Sequence, residues 1–162
     1  MKLVFWAGFW AFLVDQASKY LVVHVLNLRE IGQIEVLPPL LNFSMAWNRG
    51  INFGLLADSS TLAKWLLIVV ALIISGFVYY WVSKDRPGKI GLLAAGLLIG
   101  GALGNVVDRL LYGAVADFLN MSCCGFRNPY AFNVADIAIF AGAIGLAIWG
   151  GEQKADVTSD EG

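Results

Sequence analysis

Charge is scarce in this chain. Only 14% of its 162 residues are Asp, Glu, Lys or Arg, against about 25% in an ordinary soluble domain. There is a single histidine, His24, and no H-E-x-x-H pair, which argues against zinc hydrolysis. The two cysteines, Cys123 and Cys124, are adjacent. A bridge between neighbours is strained and no base stands near them in sequence, so neither a disulfide scaffold nor a catalytic thiol is expected. There is no basic tract and the net charge is −1, so nucleic acid is not an expected partner. Ser18 and Lys19 are sequence neighbours, and i,i+1 residues on a helix do not face each other, which removes a Ser–Lys nucleophile pair. The best carboxylate cluster offers too few oxygens for a metal site. Neither a metal nor another cofactor is called for.

Apolar residues are abundant instead. They make up 59% of the chain, and mean hydropathy is +0.71. A soluble domain this small cannot hide that much apolar surface. The composition also excludes a disordered chain and a coiled coil. The expected solvent is lipid. Four stretches are long enough to span a bilayer, which takes about 20 residues at 1.5 Å rise each. They run over about residues 3–26, 62–82, 90–111 and 131–151. Backbone groups in hydrocarbon must bond internally, so all four are predicted as helices.

Lys84, Arg86 and Lys89 crowd the turn between the second and third stretches. Positive charge in short loops marks the cytoplasmic side, so both termini are predicted there too. Asp15 interrupts the first apolar run and no small-x-small cleavage site closes it, so a retained helix is expected rather than a cleaved signal peptide. The predicted fold is an all-α membrane protein with four transmembrane helices. Between helices one and two lies an outer β segment, at about residues 34–57. Its strand signal is the alternation of Leu41, Phe43, Met45 and Trp47 with Asn42, Ser44, Ala46 and Asn48. Such a strand can lie on the outer leaflet and clamp an extended peptide by strand addition. One domain over residues 1–151 is followed by a disordered tail, 152–162.

An ionisable group inside a membrane is a functional candidate. Here the polar residues share one depth, the outer third of the bilayer. Asp15 lies roughly 20 Å along helix one. Asn105, Asp108 and Arg109 end helix three, Asn133 and Asp136 begin helix four, and Asp117 lies just outside. Asp15 and Lys19 are i,i+4 with the acid first, the favourable order for a pair. Gly96, Gly100 and Gly104 form a small-residue stripe on helix three that lets a neighbouring helix approach. Helices joined by a short loop are antiparallel neighbours, so Asp117 and Asp136 can meet. Two carboxylates in a desolvated site share one proton. The ionised member can then act as general base and the protonated one as general acid, which is aspartyl peptide hydrolysis. Structural and proton-relay roles remain open at this point.

The residues also carry a family pattern: D-Q-A-S-K at Asp15–Lys19, N-R-G-I-N-F-G at Asn48–Gly54, G-G-A-L-G-N-V-V-D-R at Gly100–Arg109, V-A-D-F at Val115–Phe118 and F-N-V-A-D at Phe132–Asp136. In order, spacing and helical frame, the chain resembles lipoprotein signal peptidase, or signal peptidase II, a bacterial inner-membrane aspartyl protease family. The resemblance runs to about Gly151. It implies Asp117 and Asp136 as the catalytic dyad. It implies Asn105, Arg109, Asn133 and Ala135 around the site, and Asn48, Gly50 and Gly54 in the segment that cradles substrate. Asp15, Lys19 and Asp108 would have more structural parts. The implied substrate is a diacylglyceryl-modified prolipoprotein, cut just before its lipidated cysteine. No metal is needed, and globomycin-type cyclic peptides inhibit. The expected partners are that substrate and membrane lipids, and the expected state is a monomer.

Two features depart from the family pattern. Asn52 stands where a small residue is usual, and the loop at residues 120–131 lacks the aromatic-proline run expected before F-N-x-A-D. Gly125 and Pro129 make it a mobile outer loop that is either a gate or an inert connection. The alternatives from other classes are a four-helix proton-coupled transporter and a lipopeptide-binding protein that does not cut.

Overall fold

The computed structural model describes residues 1–50, 59–122 and 128–151. Where the apolar runs are long, the chain is helical. Helix α1 (Lys2–Tyr20) continues into a π-helical turn at Leu21–Val25, and a short α2 (Leu28–Ile31) follows. Strands β1 (Gln33–Leu37) and β2 (Leu41–Asn48) precede α3 (Ser59–Asp85) and α4 (Lys89–Tyr112). Strand β3 (Val115–Met121) and helix α5 (Val134–Trp149) complete the order. Helix α4 ends where Gly113 turns left-handed at φ 75° and its N–H donates to the Arg109 carbonyl. The last helix starts later than its apolar run because Phe132 is extended and bridges Leu119, leaving Asn133 as the cap.

Helix α4 is the centre of the bundle and packs against α1, α3 and α5. Glycine makes this possible. A Cβ on Gly100 would overlap the Gly8 backbone of α1, and one on Gly142 of α5 would stand 2.6 Å from the Ala94 carbonyl of α4. The small-residue stripe therefore packs α1 against α4 at backbone contact. Helices α3 and α4 contain apolar spans of 25 and 24 residues, Thr61–Asp85 and Lys89–Tyr112, long enough to cross a membrane. Along α3, Leu66, Val70, Ile73 and Phe77 form an exposed apolar stripe. So do Phe5, Phe9 and Trp6 on α1. Surfaces of this kind are stable against hydrocarbon rather than water.

The three strands form one antiparallel sheet in the order β1-β2-β3. Strand β2 matches the alternating segment in the sequence. Strand β3 falls in a segment expected to be loop. It gives no alternation because it is buried along both faces. Strand β2 is paired on both sides only over Leu41–Phe43; at Ala46–Asn48 it pairs, among the described residues, with β3 alone, so the clamp expected of the whole strand is limited to that last stretch. A register shift between Phe43 and Ala46 bends it. The remainder of the predicted β segment, with Asn52 and Gly54, lies outside the described residues, as do Cys123, Cys124, Gly125 and the tail.

Two apolar clusters lie at different heights. One joins Val4, Val78, Val82, Ala94, Ala95, Leu98 and Leu146 of the helices. The other sits beneath the sheet, where Val22, Leu28 and Phe118 meet Phe43, Met45 and Val134. The buried ionisable residues Asp15, Lys19, Asp108 and Asp117 occupy the layer between them.

Candidate active site

The start of α5 organises the site. A helix begins with unpaired N–H groups, and Asn and Asp are favoured caps. Asn133 is fully buried and caps α5: its Oδ1 accepts from the Asp136 N–H at 2.9 Å. Asp136 reciprocates, its Oδ2 accepting from the Asn133 N–H at 3.2 Å. The same asparagine donates from Nδ2 to Asp117 Oδ1 and, at 3.3 Å, to Asn105 Oδ1. Asn105 on α4 donates from its own Nδ2 to Asp136 Oδ1 at 2.9 Å. One buried amide therefore ties both carboxylates together.

Asp117 is carried by β3 and is 3% exposed. Its second oxygen accepts from Asn48 Nδ2 at 3.0 Å, across the β2–β3 pairing. Gly50 aims that amide. Its N–H donates to Asn48 Oδ1 at 2.9 Å from a backbone at φ 86°, a left-handed conformation that suits glycine. Burial, and then the charge of Asp136, push the Asp117 carboxyl up to about 6; the bonds from Asn48 and Asn133 act the other way.

Behind the pair lies a second buried group. Lys19 donates to Asp15 Oδ2 and is paired with Asp108 Oδ2, both at 2.8 Å, and reaches Asn105 Oδ1 at 3.2 Å. Asp15 Oδ1 accepts from the Ala135 N–H at 2.8 Å, satisfying another free amide of α5. Asp108 Oδ2 also accepts from the Ala116 N–H at 3.2 Å, fixing the start of β3. Gly104 leaves room for this arrangement, since a Cβ there would stand 2.6 Å from Asp15 Oδ2. Sequence reasoning overlooked Gln16. Its Nε2 donates to Asp15 Oδ2 at 3.1 Å and Asp108 Oδ1 at 3.0 Å, joining α1 to α4. Its only signal was its place in D-Q-A-S-K.

Arg109 Nη1 donates to the Asn105 carbonyl at 3.3 Å, and the guanidinium's field reaches Asp136, Asp108 and Asp117. The layer thus holds four acids, Asp15, Asp108, Asp117 and Asp136, against two cations, Lys19 and Arg109. The positive end of the α5 dipole offsets part of this excess. Asn120, also unforeseen, donates to the carbonyls of Asn128 and Tyr130, at 2.8 and 2.9 Å, holding the chain that leads into α5 beside β3. All the predicted site residues within the described chain, from Asp15 to Asp136, lie in this connected layer or at its rim. Gly54 is outside the described residues.

A helical bundle with lipid-suited faces, a sheet over one end and two carboxylates on a shared buried amide define a membrane protein with a paired-acid site. Residues 8–150 match the family model for Signal peptidase (SPase) II, and the chain belongs to that family. The lipoprotein signal peptidase of Methylobacterium sp. (strain 4-46) is 38% identical over 136 residues, covering 84% of this chain and 81% of that one. That of Pseudomonas aeruginosa (strain UCBPP-PA14) is 37% identical over 147 residues, covering 88% and 84%. A bacterial membrane enzyme solved by the in meso method at 1.9 Å superposes with TM-score 0.77 at 29% identity, over 91% of this chain and 92% of that chain.

Proposed function

We propose that Asp117 and Asp136 form the acid–base pair with which this peptidase releases signal peptides from diacylglyceryl-modified prolipoproteins, cutting just before the lipidated cysteine. As a member of the signal peptidase II family the chain is an aspartic-type peptidase acting on lipoproteins in a bacterial membrane. The observation that carries the assignment is Asn133, bonded at once to Asp117 and to Asp136.

Asp117, the more buried acid, whose carboxyl is raised to about 6, holds the shared proton; Asp136, half-buried, is held by Asn105 and the α5 cap. Asp136 takes a proton from the attacking water. Asp117 donates a hydrogen bond to the scissile carbonyl, stabilising the developing oxyanion, and passes its proton to the leaving amine. Asn48 and Gly50 line the peptide's path. Asn105, Arg109, Asn133 and Ala135 shape the site, while Asp15, Lys19 and Asp108 support it. The substrate's lipid anchor supplies binding energy and holds the scissile bond at the depth of the pair, so little sequence need be read.

In this reading residues 1–151 form a monomeric domain of four membrane spans in the bacterial inner membrane. Both termini face the cytoplasm, the pair lies near the outer face, and globomycin-type peptides compete there. A proton path through the bundle has little support. Val4, Val78, Val82, Ala94, Ala95, Leu98 and Leu146 make an apolar plug on the cytoplasmic side of the pair. The test is cleavage of a diacylglyceryl-modified prolipoprotein by the purified chain beside Asp117→Asn and Asp136→Asn. Each substitution is expected to abolish cleavage while substrate binding persists. Equal cutting by all three would overturn the assignment, and binding without cutting by the unmutated chain would favour a non-cleaving binder.

A further inference from the structure

The two acids of the proposed pair come from different elements, Asp117 from β3 and Asp136 from the first turn of α5. Asn133 can bond both only if the entry to α5 is held beside β3. The direct tie between these backbones is short. The Phe132 carbonyl accepts from the N–H groups of Phe118 and Leu119, at 3.0 and 2.8 Å, and the Phe132 N–H donates to the Leu119 carbonyl at 3.0 Å. Phe118 follows Asp117 directly and Phe132 directly precedes Asn133, so this bridge sets the distance across which the acids meet.

Burial does little to hold the chain that reaches the bridge. Pro129 and Tyr130 are exposed, Tyr130 by 77%, and Asn128 and Ala131 are half-buried. The ladder cannot run on through Pro129, which has no N–H to donate, and the Tyr130 N–H turns back to Asn128 Oδ1 at 3.0 Å. A single bridge is a weak tie, since even a two-stranded hairpin is marginal by itself.

A side chain extends it. Asn120 is only 8% exposed, and its Nδ2 donates to the carbonyls of Asn128 at 2.8 Å and Tyr130 at 2.9 Å. An amide nitrogen carries two hydrogens, so both are used. Its Oδ1 accepts from Ser122 Oγ at 2.7 Å, and that hydroxyl accepts in turn from the Asn128 N–H at 3.2 Å. The buried amide is thus held at both ends, and it supplies the rungs that the backbone at Pro129 cannot.

We propose that Asn120 is a positioning residue for the acid pair: its two bonds hold residues 128–130 against β3, which fixes Phe132, and through Phe132 the Asn133 cap, relative to Asp117. The inference rests on the pairing of Asp117 with Asp136 proposed above. Asn120 acts through the backbone. Without its bonds the entry to α5 draws away from β3, and misplacement of reacting groups by about 1 Å can cost about 100-fold in rate. The proton shared by the pair responds as well. Burial and the charge of Asp136 raise the Asp117 carboxyl and outweigh the bonds from Asn48 and Asn133. Separation weakens both raising causes, so the apparent pKa of the pair moves down. The charges that act on Asp117, from Asp136, Lys19 and Arg109, are left in place by a neutral substitution at Asn120.

The test follows cleavage of a diacylglyceryl-modified prolipoprotein by the purified full chain over a pH series. Asn120→Leu keeps the side chain's size and has no donor, while Asn120→Ser keeps one. Activity is expressed per folded molecule, counted by size-exclusion chromatography. Asn120→Leu is expected to lower kcat about 10-fold and Asn120→Ser less, with KM within about 2-fold. In both, kcat/KM should begin to fall at lower pH than in the unmutated chain. Met121→Leu, at an exposed neighbour outside the clamp, should match the unmutated chain. A residue that only supports folding would reduce the folded yield and leave kcat and the pH profile of the remainder unchanged; that result would overturn the proposal. A rise in KM alone would also overturn it, since it would mark a contact with substrate. If neither Asn120 variant folds, the residue serves stability alone and the proposal fails. Asp117→Asn in the same series separates the two readings. Cleavage by Asp117→Asn would sink the acid pair itself, whereas an inactive Asp117→Asn beside unaltered Asn120 variants would sink only the clamp.

Discussion

At the scale of single residues, the site is a problem of holding too many acids. Asp117 is raised to about 6 by burial and by Asp136. The native carboxyl therefore keeps its proton to higher pH than the unfolded one, whose pKa is near 3.8. Its contribution to stability is present at low pH and declines as pH rises through that interval. Activity follows the same proton. In a pH series, kcat/KM is expected to fall above an apparent pKa near 6, a value belonging to the coupled pair. Asn48→Ala removes a bond that favours the ionised form, so that apparent pKa should move upward. An unshifted profile in the variant would contradict the role given to Asn48. Lys19 is a different case, since it serves Asp15 and Asp108 together. Lys19→Met strands two buried carboxylates and should cost about 3–5 kcal/mol, visible as a lower denaturation midpoint. The i,i+4 spacing of Asp15 and Lys19 was legible in the sequence. The Asp108 partnership and the bridge made by Gln16 were not, because they join residues some ninety positions apart.

At the scale of elements, backbone proximity and strand pairing carry the architecture. Gly100 admits the Gly8 backbone, and a larger residue must push α1 away from α4. Gly100→Val is therefore expected to lower stability by about 2–3 kcal/mol, the upper part of the usual cost of overpacking, and to reduce cleavage. A neighbouring exposed substitution such as Leu93→Val should leave both nearly unchanged, because Leu93 is 41% exposed. In the sheet, β2 is paired on both sides at Phe43, with Ile34 and Leu119. Phe43→Pro removes a ladder donor from a central strand. It should impair cleavage strongly while circular dichroism keeps its helical signal; normal turnover would show that the sheet does not present Asp117. The four helices and β2 could be found from apolar length and period. Strand β3 could not, since a strand covered on both faces has no alternation to read.

At the scale of the whole molecule, polar chemistry is confined to a thin layer between two apolar clusters, with lipid-suited faces around it. One end is closed by small residues packed at backbone distance, the other by the sheet. The sequence by itself determined that the chain needs hydrocarbon as solvent, because no globule of 162 residues can bury 59% apolar residues. It also determined where the long helices run, since apolar length and period mark them. Only the tertiary structure decided who partners whom. It set Asn133 between Asp117 and Asp136, turned Asp15 onto the first turn of α5, and drew β3 into the sheet that carries Asp117. These are contacts between distant segments, chosen by burial and hydrogen-bond satisfaction over the whole fold, and no local period along the chain encodes them.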